Sequence, residues 1–274
     1  MISCRNSKKY FCMLEKVYYF FAYFIILKYI YSENNIRKDN RPYWLKKFTK
    51  KIIKTYVNHF LKPQFKLLGK GGAYFKPRYI KVFGKNVSID DYPTLIGAPD
   101  AYIQFTSWNI GDNKGVINIG KYCLITPGVR IMAAERIEIG DACMIAHGAY
   151  ISDADWHGIY DRAEPVGKTK PIVLKDNVWI GDSAIICKGV TIGKNSIIGA
   201  GAVVTKDVPE NSIYAGNPAK LVKKLDDVSF NTRADFFENP KQLAHDFDML
   251  DRYTLGKNSF LNWIKSIFIP DDSH

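Results

Sequence analysis

Ile180, Ile186, Ile192, Ile198 and Val204 stand six residues apart without a slip, and that interval restricts the possible folds more than any other feature of the chain. Four positions after each comes a small or β-branched residue: Ala184, Val190, Ser196, Ala202, Val208. Upstream the same count passes Ile119, Ile125 and Ile131, takes eight residues to reach Ile139, and resumes through Ile145 and Ile151. A period of six is neither the 3.6 of a helix nor the 2.0 of a lone strand, so each hexad is one short strand plus one turn. Three such sides close a triangular coil of about eighteen residues, the signature of a parallel β-helix. The branched residue points into the prism, the small one sits where the chain is crowded, and glycine or a polar residue turns the corner. Coils stacked about 4.8 Å apart then bury these columns as one continuous core.

The run NVWIGDSAIICKGVTIGKNSIIGAGAVVTKDVPENSIYAGNPAKLV, residues 177–222, carries a family likeness. Its strand phrase, its GAGAVVTKDVP ending and its GNPAK exit resemble the last coils of the hexapeptide-repeat acyltransferases. That family includes galactoside and maltose O-acetyltransferases and cell-envelope polysaccharide O-acetyltransferases. The likeness covers residues 115–225 well and 80–114 weakly. It implies a mainly β fold, a left-handed parallel β-helix, assembled as a homotrimer, with acetyl-CoA as acyl donor in the groove between neighbouring prisms and no metal.

The count fails between Ile151 and Ile172, where ISDADWHGIYDRAEPVGKTKP intervenes. Regular coils show solvent mostly repeat residues, whereas chemistry needs a side chain held off the prism on a loop that a rigid scaffold positions. This break holds the densest polar and aromatic cluster of the repeat region: Asp153, Asp155, Trp156, His157, Tyr160, Asp161 and Arg162. Acyl transfer from a thioester to an alcohol requires a proton to leave the attacking hydroxyl, a task suited to a neutral imidazole near pH 7. His157 is the candidate, and it falls where the resembling family carries its catalytic histidine. Asp155 either orients that imidazole, as a carboxylate partner does elsewhere, or is a solvated loop residue. Trp156 and Tyr160, with Arg162 beside them, either stack on and bind a sugar or anchor the loop. His147 occupies a turn inside the repeat and reads as structural; His59, His245 and His274 have no motif around them.

On the donor side the resemblance assigns Ala200 to the pantetheine arm, Thr205 and Lys206 to the CoA moiety, Lys220 and Lys223 to its phosphates, and Trp179 to the acyl site. For each lysine the alternative is a solvated surface charge, and for Trp179 a buried spacer. Where galactoside acetyltransferases place an asparagine and an aspartate on the acceptor side, this chain has Thr126 and Ala134. The acceptor is therefore expected to be a saccharide hydroxyl other than that of a free galactoside, with a lipid-linked glycan favoured by the charge distribution.

That distribution is uneven. Residues 1–85 hold 20 Lys and Arg against 3 Asp and Glu, a net of +17, while the remainder holds 19 against 24, a net of −5. Within the basic part, residues 43–61 place Trp44, Leu45, Phe48, Ile52, Tyr56 and Phe60 at three- and four-residue spacing, with Lys46, Lys47, Lys50, Lys51 and Lys54 between them. This is a basic amphipathic helix, and three partners suit it: an anionic membrane surface, nucleic acid, or the end of the prism with snorkelling lysines. No nucleic-acid recognition motif accompanies it. The apolar stretch 17–27 is shorter than the roughly 20 residues a bilayer span needs and lacks a small-residue cleavage site; it reads as an interfacial anchor or an extension. Five cysteines without metal or redox spacing, two of them (Cys123, Cys143) at the small inward position, point to a reducing cytoplasmic setting.

The expected organisation is an arm over 1–79, the repeat over 80–225 and a helical extension over 226–274 whose two helices cap the open prism. Two other functions fit the prism alone: a catalytically silent scaffold, and a γ-type carbonic anhydrase. The second needs two histidines five apart plus a third, whereas only His147 and His157 lie in the repeat region.

Overall fold

Each hexad folds as its count requires, into a strand and a turn. In Trp179–Ile180, Ile185–Ile186, Thr191–Ile192, Ile197–Ile198 and Val203–Val204 the second residue is buried and the first faces outward. The computed structural model describes residues 39–110, 113–226 and 229–269. They form two units, one spanning residues 51–240 and the other combining residues 39–50 with 241–269. The apolar stretch 17–27, Pro270 and His274 lie outside the described residues.

The larger unit is a parallel β-helix with three faces. The first runs from Leu67–Leu68 to Thr191–Ile192, six strands deep, and the third from Ile80–Phe83 to Val203–Val204, also six. The second begins at Ala73–Phe75 and ends with Ser212–Ala215, on which Lys220–Lys224 folds back antiparallel. The columns read from the sequence are the core: Ile125, Ile131, Ile145, Ile151, Ile180, Ile186, Ile192 and Ile198 are fully buried, as are Ala184, Ser196 and Ala202. Cys123 and Cys143 are buried among them, each thiol turned to a backbone carbonyl of the coil above, Gly140 O at 3.2 Å and Lys175 O at 3.1 Å.

The corners are not all turned by glycine. Between the first and second faces, six successive coils place a non-glycine residue in the left-handed region: Tyr92, Tyr122, Ala142, Asn177, Asn195 and Asn211, with φ from 53° to 61°. Asparagine tolerates this conformation, and here it also pairs along the axis. Asn177 Nδ2 donates to Asn195 Oδ1 at 3.0 Å, and Asn195 Nδ2 to Asn211 Oδ1 at 2.8 Å. The two tyrosines stack instead, ring centroids 5.6 Å apart and 11° from parallel.

The prism starts at Leu67, earlier than the expected boundary at residue 80, because Leu67–Leu68 pairs in parallel with Val87–Ile89. Its N-terminal end is plugged by the last turns of the basic segment. The α-helix Tyr43–Tyr56 gives way to a π-helical turn, Val57–Leu61, whose Val57 and Leu61 join Phe65 in the core, with Phe65 edge-on to Phe105. Residues 57–65 thus supply the covering that an open coil end needs, and the helical segment runs to Leu61 with its last five residues in π rather than α form.

The C-terminal helices, Pro240–Leu255 and Phe260–Phe268, group with residues 39–50 in the smaller unit. The reason lies in charge and hydrogen bonding. Lys46 and Lys50, one helical turn apart, both reach Asp251, at 2.7 and 2.5 Å, and Tyr43 donates to Asp248 at 2.7 Å. Burial pushes the Asp251 carboxyl up, but the two lysines outweigh it and hold the group below the usual carboxylate range. Among the described residues no helix is long and apolar enough to cross a membrane.

Candidate active site

Both irregularities in the count, and a third not read from the sequence, fall at the corner between the third and first faces. On one coil the chain leaves at Trp108 and returns at Gly115 through a two-stranded excursion, Asn109–Ile110 with Asn113–Lys114. On the next, the eight-residue step from Ile131 to Ile139 widens the corner by Ala134 and Glu135. On the third coil, residues 153–171 form a long loop between the strands Tyr150–Ser152 and Ile172–Leu174.

The last two are joined. Asp153 is fully buried, and its carboxylate accepts three backbone N–H bonds from the widened corner: Ala134 at 2.7 Å, Glu135 at 2.9 Å and Arg136 at 2.7 Å. Burial pushes the Asp153 carboxyl above its usual range, against the pull of these donors. The extra residues at 134–135 therefore build a nest of backbone donors, and the first residue of the loop fills it.

From this anchor the loop closes on itself. Asp155 N donates to Lys168 O at 3.0 Å, Gly167 N to Asp155 O at 2.8 Å, and Lys170 N to Asp153 O at 2.9 Å, so the stem is a short antiparallel ladder. Gly167 is required there, since a Cβ would sit 2.4 Å from the His157 carbonyl oxygen. The backbone of His157 is thus held while its side chain is exposed and makes no hydrogen bond among the described residues.

No hydrogen bond joins Asp155 to His157 in this structure. The Asp155 carboxylate accepts from Lys188 Nζ at 2.5 Å. Trp156 anchors the loop: its Nε1 donates to the Tyr150 hydroxyl at 3.1 Å and its ring lies 5.9 Å from Trp108, which in turn meets Phe83 at 5.2 Å. Tyr160 is wholly exposed at the tip. Arg162 folds back, its Nε donating to Ile159 O at 3.2 Å.

The donor-side residues divide. Thr205 and Lys206 stand exposed at the same corner as the loop, on the coil after that of Lys188. Ala200 is at the opposite edge of the third face, in the turn between Ile197–Ile198 and Val203–Val204. Trp179, 45% exposed, points outward from the second face, and Lys220 and Lys223 lie on the antiparallel strand of that face. His147 is at the second-to-third corner with its Nδ1 3.5 Å from Asp182. Thr126 caps a strand through Ile145 O at 3.1 Å, and Ala134 is buried. Among the described residues no three His, Cys, Asp or Glu side chains gather as a metal would require. Missed from the sequence were Lys188 and the excursion at Trp108; the lysine looked like any turn residue of a hexad.

The family model described as bacterial transferase hexapeptide (six repeats) matches residues 171–206. A galactoside O-acetyltransferase of Escherichia coli (strain K12) is 36% identical over 149 residues, covering 50% of this chain and 73% of the relative. A second galactoside O-acetyltransferase, from Lactococcus lactis subsp. lactis (strain IL1403), is 29% identical over 172 residues, covering 63% and 69%. Among solved structures, a maltose O-acetyltransferase from Clostridium difficile 630 is similar at 26% identity and a TM-score of 0.43, over 69% of this chain and 92% of that one.

Proposed function

Because this chain belongs to the hexapeptide-repeat acetyltransferase family, we propose that it transfers an acetyl group from acetyl-CoA to a hydroxyl of a saccharide acceptor, with His157 as general base. The observation that carries this reading is the alignment of chain irregularities on one corner. The loop's ladder at Asp155, Gly167 and Lys168 packs against the His157 carbonyl and leaves the imidazole exposed, while Thr205 and Lys206 lie along the same edge. The imidazole takes the hydroxyl proton as the oxygen attacks the thioester carbonyl, and returns it to the departing thiolate, so the base is regenerated. Tyr160 is the loop aromatic left exposed for a sugar, with Arg162 beside it and Trp156 holding the loop below.

The placement of the donor residues supports an assembly of several copies, for which the family likeness suggests a homotrimer. A convex prism keeps its second face and its third-to-first corner apart, so Trp179, Ala200, Lys220 and Lys223 serve the same reaction as His157 only if a neighbouring prism supplies one set. Incubation with radiolabelled acetyl-CoA and a panel of cell-envelope saccharides tests the proposal; label in an acceptor supports it, and transfer to none of them, or hydrolysis alone, overturns it. For the donor groove, Lys206→Ala and Lys220→Ala are each expected to raise KM for acetyl-CoA about 10-fold, the lower end for a hydrogen bond to a charged group, because both lysines are exposed. An equal rise in KM for the acceptor would place the groove elsewhere.

The basic helix favours work at an anionic surface on the inner face of the cytoplasmic membrane. Trp44, Phe48 and Ile52, four residues apart, are exposed beside exposed Lys47, Lys51 and Lys54. Changing these three lysines to glutamine is expected to weaken binding to anionic vesicles by about 1 kcal/mol per lysine and leave turnover on a small soluble alcohol intact. Lys46 and Lys50 are kept, since they hold Asp251. Vesicle binding that is unchanged by the substitutions removes the membrane reading.

A further inference from the structure

The turn that follows the loop by one coil, Cys187–Gly189, is built to receive it. Lys188 Nζ donates to Asp155 Oδ1 at 2.5 Å, with the lysine side chain 26% and the aspartate 35% exposed. Gly189 N donates to Lys170 O at 3.1 Å, at the loop's exit. Gly189 has φ +77°, and a Cβ there would lie 2.9 Å from Lys170 Cδ, so the lysine stem packs directly on the glycine. The loop is therefore gripped on both sides along the prism axis. The preceding coil holds Asp153 through three backbone N–H groups, and the following coil holds Asp155 and Lys170 through Lys188 and Gly189.

We propose that Lys188 is a positioning residue for the acetyl transfer: by holding Asp155 against the following coil it fixes the loop that carries His157. The chain of contacts is short. Asp155 is bonded through its own backbone to Gly167 and Lys168, and Gly167 abuts the His157 carbonyl. Among the described residues the Lys188 ammonium bonds to Asp155 and not to the imidazole or to a donor-side residue, so it acts through the loop. The inference rests on the reading of His157 as the base, and it reassigns Asp155 from partner of the imidazole to anchor of the loop. An ammonium suits the task, because a compact charge on a flexible stem reaches a single carboxylate oxygen without needing a bidentate fit.

The test uses the full-length protein and three variants: Lys188→Met, which keeps the stem and removes the charge, Asp155→Ala, and the two combined. Each single variant is expected to lower kcat about 10- to 100-fold, the scale of a misplacement of about 1 Å, with KM for acetyl-CoA unchanged. The double variant should fall no further than either single one, as two residues acting through one contact are not additive. Amide exchange of residues 154–170 should quicken in all three while the coils stay protected, a readout independent of activity. If Asp155→Ala lowers kcat and Lys188→Met does not, Asp155 acts on His157 directly and the proposal fails. It fails equally if loop exchange is unchanged, or if exchange quickens with kcat intact. His157→Ala measured alongside separates the two readings: full activity in that variant removes the base, and the exchange data still decide whether Lys188 holds the loop.

Discussion

His157→Ala is expected to lower kcat about 100- to 10,000-fold at saturating acetyl-CoA and acceptor, the usual contribution of a positioned general base. The protein should otherwise be unharmed. The imidazole is exposed and makes no hydrogen bond among the described residues, so its loss opens no cavity and strands no partner. Stability should stay within about 0.5 kcal/mol of the parent, as for other surface substitutions. The position of the loop rests on Asp153 and Lys188 and on backbone bonds that the substitution leaves in place. Steady-state kinetics with thiol detection of released CoA reads the outcome. An unchanged kcat would remove His157 from the mechanism.

Asp153→Ala is expected to be the most destabilising single change at this corner, by about 2–4 kcal/mol in urea unfolding, because three N–H groups, that of Ala134 buried and those of Glu135 and Arg136 partly so, lose their acceptor together. The loss is smaller than three full desolvation penalties, since removing the carboxylate also removes the cost of burying its charge. That cost sets a pH dependence. Burial raises the carboxyl above its ordinary value, so the folded protein binds this proton more tightly than the unfolded one. Stability from this group is fully present below the unfolded value and declines as pH rises through the raised folded one. The gap between parent and variant should therefore be larger near pH 4 than near pH 7. An equal gap at both would mean that the buried carboxyl does not titrate differently in the fold, and a gap below about 1 kcal/mol would mean water replaces the lost acceptor.

The inward columns, the small positions and the break at 151–171 were all legible because a periodic fold imposes a local rule. Every residue at Ile125, Ile145 or Ile198 meets the same geometry six residues on, so side-chain type repeats with position. His157 was legible for the opposite reason: it stands where the rule lapses. The left-handed corner at Tyr92, Tyr122 and Ala142 was not, since local preference points to glycine or asparagine, whereas contacts between coils hold these residues there: the two tyrosines stack, and Ala142 N donates to Lys121 O at 2.7 Å. Nor was Asp153 legible as an anchor. The eight-residue step at Ile131 to Ile139 looked like a slip, and its function as a donor nest depends on a carboxylate 17 to 19 residues further on. The ion pairs of the basic helix were equally hidden, because Lys46 and Lys50 read as two of five alike lysines on one helix until Asp251, some two hundred residues away, is placed beside them.

The amino-acid sequence by itself determined the prism, its core columns, the coil from which the loop departs and the histidine on it, since each follows from spacing and side-chain type along a few neighbouring residues. Only the tertiary structure decided that three irregularities share one corner, that Asp155 turns to Lys188 rather than to His157, and which lysines of the arm are neutralised. The physical reason is that a coil returns to the same corner after about eighteen residues, so contacts along the prism axis join residues whose separation depends on every turn between them. Charge and hydrogen-bond pairing act over a few ångströms in space and carry no period along the chain.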